Sequence, residues 1–120
     1  MAEDMLRKVD IDWLLEVYGA MLTEKQQAIA ALYYGEDLSL AEIAQQENVS
    51  RQSVHETLRR VEKQLRTWEE KLGFRKRLTG VEIVLQQALQ TLEEQQYSLT
   101  KQHIDEAISL LNDEEEANGL

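Results

Sequence analysis

The stretch LSLAEIAQQENVSRQSVHETLRR, Leu38 to Arg60, reads as two short helices joined by a tight turn. Ser39 with Glu42 three residues on is a capping box, in which the Ser hydroxyl and the Glu carboxylate each satisfy an orphan backbone N–H at a helix start. Leu40, Ile43 and Ala44 lie on one side of that helix, which runs out at Glu47-Asn48, where Asn tolerates a left-handed backbone. Val49 plugs the corner. Ser50 is the next N-cap, and from it a second helix turns Val54 and Leu58 back toward Ile43 and Ala44. This is helix-turn-helix spacing. Its second helix presents Arg51, Gln52, His55 and Arg59 outward, the residue types that reach phosphates and base edges from a helix lying in a groove. The same spacing also serves as plain protein scaffold.

Upstream, Asp10 is placed to cap a first helix whose apolar positions, Ile11, Leu14, Leu15, Tyr18, Met21 and Leu22, recur at three- and four-residue steps. Trp13 and Val17 widen the stripe, so this helix is either central to the monomer or shared with a second subunit. Thr23 and Gln26 form another capping box, opening a helix through Ile29, Leu32 and Tyr33 that stops at Gly35. Tyr33 and Tyr34 read as packing residues.

Downstream, the helix from Ser50 continues. Val54, Leu58, Val61, Leu65, Trp68 and Leu72 follow at alternating steps of four and three, the seam of a coiled coil or of a helix packed by later helices of the same chain. Glu56 with Arg60 and Glu62 with Arg66 have the spacing of intrahelical pairs, which leaves Arg51, Arg59, Lys63 and Lys71 as the cations without such a partner. Leu72-Gly73-Phe74 is a helix stop, followed by Arg75-Lys76-Arg77, a cluster that either binds nucleic acid or steadies the helix end through its dipole. Thr79 and Glu82 form a third capping-box pattern ahead of an amphipathic helix bearing Val81, Val84, Leu85, Ala88, Leu89 and Leu92 to about Gln95. Ser98 or Thr100 then caps a last helix with Ile104, Ala107, Ile108 and Leu111.

The fold class that follows is all-α: a small domain of five to six helices over residues 1–112, with the helix-turn-helix at 39–60 and a disordered acidic tail at 113–120. The absence of Pro and the lack of any alternating Val/Ile/Thr segment agree with it. With no Cys, neither a disulfide framework nor a thiolate metal site is available, which suits a reducing cytoplasm. MAEDMLRKVDIDW has no apolar core of a secretory signal, and no apolar run approaches a membrane span, so a soluble protein is expected. The two His residues, His55 and His103, have no metal-ligand spacing, and no nucleophile or acid–base pair is evident; an enzyme and a cofactor are not expected.

Net charge is −10, yet it is unevenly spread. From Arg51 to Arg77 nine basic residues meet four acidic ones, giving +5, whereas the remainder holds four basic and nineteen acidic residues, giving −15. A nucleic acid would therefore meet the middle of the chain, on Arg51, Gln52, His55, Arg59 and Lys63 with help from Arg75, Lys76 and Arg77. The apolar first helix and the long seam together point to a homodimer.

Three runs, LLEVYGAMLTEKQ (Leu14 to Gln26), ALYYGEDLSLAEIA (Ala31 to Ala44) and VSRQSVHETLRRVEKQLRTWEEKL (Val49 to Leu72), resemble the YlxM family of small bacterial helix-turn-helix proteins. That family is similar in turn to the promoter-reading helix-turn-helix domain of sigma factors. The resemblance implies an all-helical regulator linked, by its gene's position, to the signal recognition particle of protein export, with the particle's RNA, its GTPase or both as partners. A sequence-specific DNA-binding transcriptional regulator is the alternative. Two departures stand out: Glu47-Asn48 replaces the usual aromatic or apolar residue and Gly of the turn, and His55 stands where Tyr is usual.

Overall fold

The computed structural model describes residues 2–112, with side chains from Val9 onward. Among these residues there are six α-helices and no strand: α1 (Ala2–Tyr18), α2 (Glu24–Ala30), α3 (Leu40–Glu47), α4 (Arg51–Leu72), α5 (Phe74–Glu93) and α6 (Tyr97–Leu111). The chain is an all-α protein containing a helix-turn-helix. Its contacts gather into two compact units, Met1–Leu72 and Gly73–Leu120, described in turn. The acidic tail expected at 113–120 lies outside the described residues.

In the first unit, α1 begins well before the expected cap. Asp10 therefore sits inside the helix, and its carboxylate lies 3.2 Å from the Arg66 guanidinium of α4. The helix ends at Tyr18, and a 3₁₀ turn (Gly19–Met21) carries the chain to Leu22. Thr23 and Gln26 then form the reciprocal capping box of α2, with Thr23 Oγ1 accepting from the Gln26 amide at 3.2 Å. The last turn of that helix widens into a π-helical turn, Ala31–Gly35.

The motif itself is built as its residues dictate. Ser39 and Glu42 cap α3 in both directions, at 3.1 Å each. Asn48 adopts the left-handed conformation, φ 56° and ψ 48°, so that its neighbour Val49 returns its amide to the Ala44 carbonyl at 3.0 Å. Ser50 Oγ then accepts from the Ser53 amide at 3.0 Å and opens α4. The backbone N–H of Ser39, and secondarily its side chain, hold the Glu42 carboxyl below the usual carboxylate range. A depressed folded-state value means that the stabilisation is complete above the ordinary carboxylate range and is lost as pH falls through the lowered value. Glu42→Gln keeps the reciprocal hydrogen bond without the titration. The difference in urea midpoint between wild type and Glu42→Gln should therefore favour wild type at neutral pH and shrink on acidification, as denaturation series at several pH values can read.

Helix α4 is the spine of this unit, touched by α1, α2 and α3. Its seam residues Val54, Leu58, Val61 and Leu65 are buried with Ile11, Leu14 and Tyr18 of α1, Ile29 of α2 and Ile43 of α3. The seam is thus closed by earlier helices of the same chain, and the apolar stripe of α1 and the seam of α4 largely satisfy each other. Trp68 is half-buried beside Tyr18, ring centroids 6.3 Å apart, while Leu72 and Trp13 remain exposed. Two tyrosines anchor the spine by their tips: Tyr18 Oη donates to Glu69 and Tyr34 Oη to Glu62, both at 2.6 Å. Tyr33 and Tyr34 pack edge to face at 4.9 Å. The intrahelical pairing differs from that expected: Glu62 accepts from Tyr34, Arg66 pairs with Asp10, and no Glu56–Arg60 ion pair forms among the described residues.

The second unit opens on Gly73, left-handed at φ 63°, a backbone that costs Gly nothing. The chain enters α5 at once, five residues ahead of the expected Thr79 cap; Thr79 lies mid-helix because the helix is already running. A second left-handed residue, Gln95 at φ 61°, closes the three-residue link to α6. Helix α6 starts at Tyr97, and neither Ser98 nor Thr100 caps it. Thr100 is instead buried, its hydroxyl shared with the Gln96 carbonyl at 3.1 Å and with Thr91 of α5 at 2.7 Å. The hairpin's own core is small: Val81, Val84 and Ala107, with Leu110 packed against them.

Candidate nucleic-acid interface

Arg51, Gln52, His55, Arg59 and Lys63 all lie on α4, between its first residue and a point just past its middle, and all five are exposed. Their placement follows from the helix period. With Val54, Leu58, Val61 and Leu65 turned into the core, positions 52, 55, 59 and 63 must face out. None of the five side chains enters a hydrogen bond or ion pair among the described residues, so their donors point to solvent. Arg51 sits in the first turn of α4, where the helix leaves the link that follows α3.

Three of these residues are brought together with a fourth that the helix period alone does not single out. Arg51, Gln52 and His55 line a shallow depression of about 390 Å³ whose remaining wall is Leu40, the first residue of α3. In the sequence Leu40 is legible only as an apolar position of α3. Nothing local tells that the α3 start comes beside the α4 start; the left-handed turn at Asn48 does that. A depression with two cationic or imidazole rims, an amide and one apolar wall can take a phosphate-flanked base edge: guanidinium and amide groups give paired donors, and the Leu side chain gives an apolar contact.

Glu56 intrudes on the same outward surface, one turn on from Gln52 and two turns ahead of Lys63, and is exposed. Arg75, Lys76 and Arg77 belong to another helix. They occupy the first turn of α5 in the second unit, where that helix's own dipole disfavours cations. The Arg77 guanidinium lies 5.6 Å from the centre of the Phe74 ring.

Since the turn sets the angle at which α4 leaves α3, Asn48 controls the site. Asn48→Gly should hold or raise stability by up to about 1 kcal/mol, because Gly meets no Cβ penalty at positive φ. Asn48→Val should cost roughly 1–3 kcal/mol, as a β-branched residue is forced into the left-handed region. Thermal melts of the two variants check both signs.

Among the described residues, no group of three or more His, Asp or Glu side chains is placed to hold a metal ion, and no helix is long and apolar enough to cross a membrane.

A family model described as "Putative helix-turn-helix protein, YlxM / p13 like" (UPF0122) matches residues 5–108. The chain is 41% identical to a UPF0122 protein of Clostridium botulinum over 93 residues, 78% of this chain and 84% of that one. It is 40% identical to the UPF0122 protein YofM of Lactococcus lactis over 97 residues, 78% of this chain and 87% of that one. A UPF0122 protein of Desulforamulus reducens is 59% identical over 64 residues, a match that spans 55% of that relative. With the helix-turn-helix in place and the match running through all six helices, the chain belongs to the UPF0122 family of YlxM / p13-like helix-turn-helix proteins.

Proposed function

We propose that the chain is a cytoplasmic, homodimeric regulator of the signal recognition particle pathway that binds nucleic acid through α4. The observation that carries this reading is the coincidence of two things on one helix: the five outward, unpartnered polar side chains from Arg51 to Lys63, and the start of the +5 segment in a chain of net −10. Arg75, Lys76 and Arg77 add three further cations to that segment. The gene neighbourhood implied by the YlxM resemblance supplies the pathway.

Charge balance favours a ribonucleoprotein over bare duplex DNA. The residues outside 51–77 carry −15, which a duplex repels at long range unless a basic partner covers them. A basic GTPase bound to its RNA meets both halves, RNA against α4 and protein against the acidic faces.

The test is association of the purified chain with the reconstituted particle, followed by its GTP hydrolysis rate. Direct binding, or a changed rate, that weakens with salt and with Arg51→Ala/Arg59→Ala is the expected result. Tight binding to one DNA operator with no effect on the particle would replace this reading with that of a promoter-binding regulator, the function suggested by the sigma-like motif.

A further inference from the structure

We infer that the α5–α6 hairpin is the dimerisation surface, its apolar face stacking on the same face of a second copy to form a four-helix bundle. The inference deepens the homodimer proposed above by naming its contact surface, and it does not depend on what α4 binds.

The first observation is a repeated spacing. Leu78, Leu85, Leu89 and Leu92 on α5 are separated by seven, four and three residues, and so are Tyr97, Ile104, Ile108 and Leu111 on α6. At 100° per residue each set falls within an arc of about 60°. All eight side chains are between 43% and 63% exposed.

The second is that the two stripes lie on one side of the hairpin. On each helix the exposed stripe is rotated by roughly 60–80° from the buried positions, Val81, Val84 and Ala88 on α5 and Thr100 and Ala107 on α6, and in the same rotational sense. The helices run antiparallel: a Cβ on Gly80 near one end would stand 3.7 Å from Leu110, and Thr91 near the other end meets Thr100. Equal rotations on antiparallel neighbours bring both stripes to the same face. Gln87, Gln90 and Gln102 occupy the other face, with Ile83 and Leu99 as its exposed apolar residues.

The third is size. The eight side chains expose on the order of 700 Å² per copy, close to the ~800 Å² that each partner buries in a stable interface. Contiguous apolar patches of that extent mark interaction surfaces. The hairpin's own core of Val81, Val84, Ala107 and Leu110 is meagre, and units this small usually gain their stability from association. A second copy supplies a face with the same spacing, the self-complementarity that a two-fold interface requires.

Sedimentation equilibrium of the full chain tests the assignment. The expected result is a dimer of the 13.9 kDa chain. Leu89→Glu with Ile108→Glu places charge in the bundle core and should weaken dimerisation roughly a hundredfold or more, with the helical circular dichroism kept because both positions are exposed in the single chain. Ile83→Glu, about 150° away on α5, should leave the dimer intact. Hydrogen exchange of the wild-type chain at rising concentration needs no variant; protection should rise within 78–111. A wild-type monomer at high micromolar concentration would overturn the assignment and leave the face to be covered by another part of the chain or by another protein. A dimer indifferent to the double substitution, or protected within 9–72 instead, would overturn it equally. Nucleic-acid affinity of Arg51→Ala/Arg59→Ala reads the α4 proposal separately.

Discussion

Leu65→Ala is expected to destabilise the first unit by about 2–5 kcal/mol, the range for emptying a Leu-sized site in a packed core. Leu65 is 0% exposed and belongs to the cluster that joins α4 to α1, α2 and α3. The cavity is expected to stay open because it lies between helices fixed at other points: Asp10 to Arg66, Tyr18 to Glu69 and Tyr34 to Glu62 limit how far α1 and the π turn can move toward it. For a unit of this size the loss corresponds to a fall in Tm of roughly 10–30 °C. Leu72→Ala, at the exposed end of the same seam, should cost far less. Thermal melts of the two variants, followed by helical circular dichroism, give the comparison; equal losses would mean that α4 is not the spine of the unit.

What the sequence disclosed was local. Ser39-x-x-Glu42, Thr23-x-x-Gln26, Asn48 and Gly73 each act through hydrogen bonds or backbone angles within a few residues, and each stands where its residue type predicts. The same grammar misled wherever a distant partner or an already running helix took precedence. Asp10 resembles a cap but serves Arg66, 56 residues away. Thr79 and Glu82 repeat the capping-box pattern, yet Gly73 restarts the helix before them, and Thr100 turns its hydroxyl to Thr91. The seam of α4 was readable as a seam, but periodicity does not say which helices fill it, and α1, α2 and α3 do so. For the candidate site, the outward positions followed from the helix period. The intrusion of Glu56 follows from the same period, whereas the wall at Leu40 needed the three-dimensional arrangement, and the placement of Arg75, Lys76 and Arg77 needed the true start of α5.

Arg51→Ala with Arg59→Ala is expected to weaken nucleic-acid binding by roughly 10- to 100-fold near 0.1 M salt without loss of stability. Both side chains are exposed, and neither has an intramolecular partner among the described residues, so truncation removes no contact of the fold. Removing two cations from a surface opposed by −15 of charge elsewhere takes away much of its +5. Gln52→Ala, which carries no charge, should alter sequence preference more than overall affinity.

The most direct test of the central claim, that α4 binds nucleic acid through these cations, is fluorescence anisotropy with a labelled structured RNA across a salt series. Wild type should give a straight fall of log K against log salt, and Arg51→Ala/Arg59→Ala a line shallower by about 0.7–0.9 for each phosphate that the variant no longer neutralises. Lines of equal slope and equal height for the two proteins would contradict the claim and make the outward cations of α4 a solvated face.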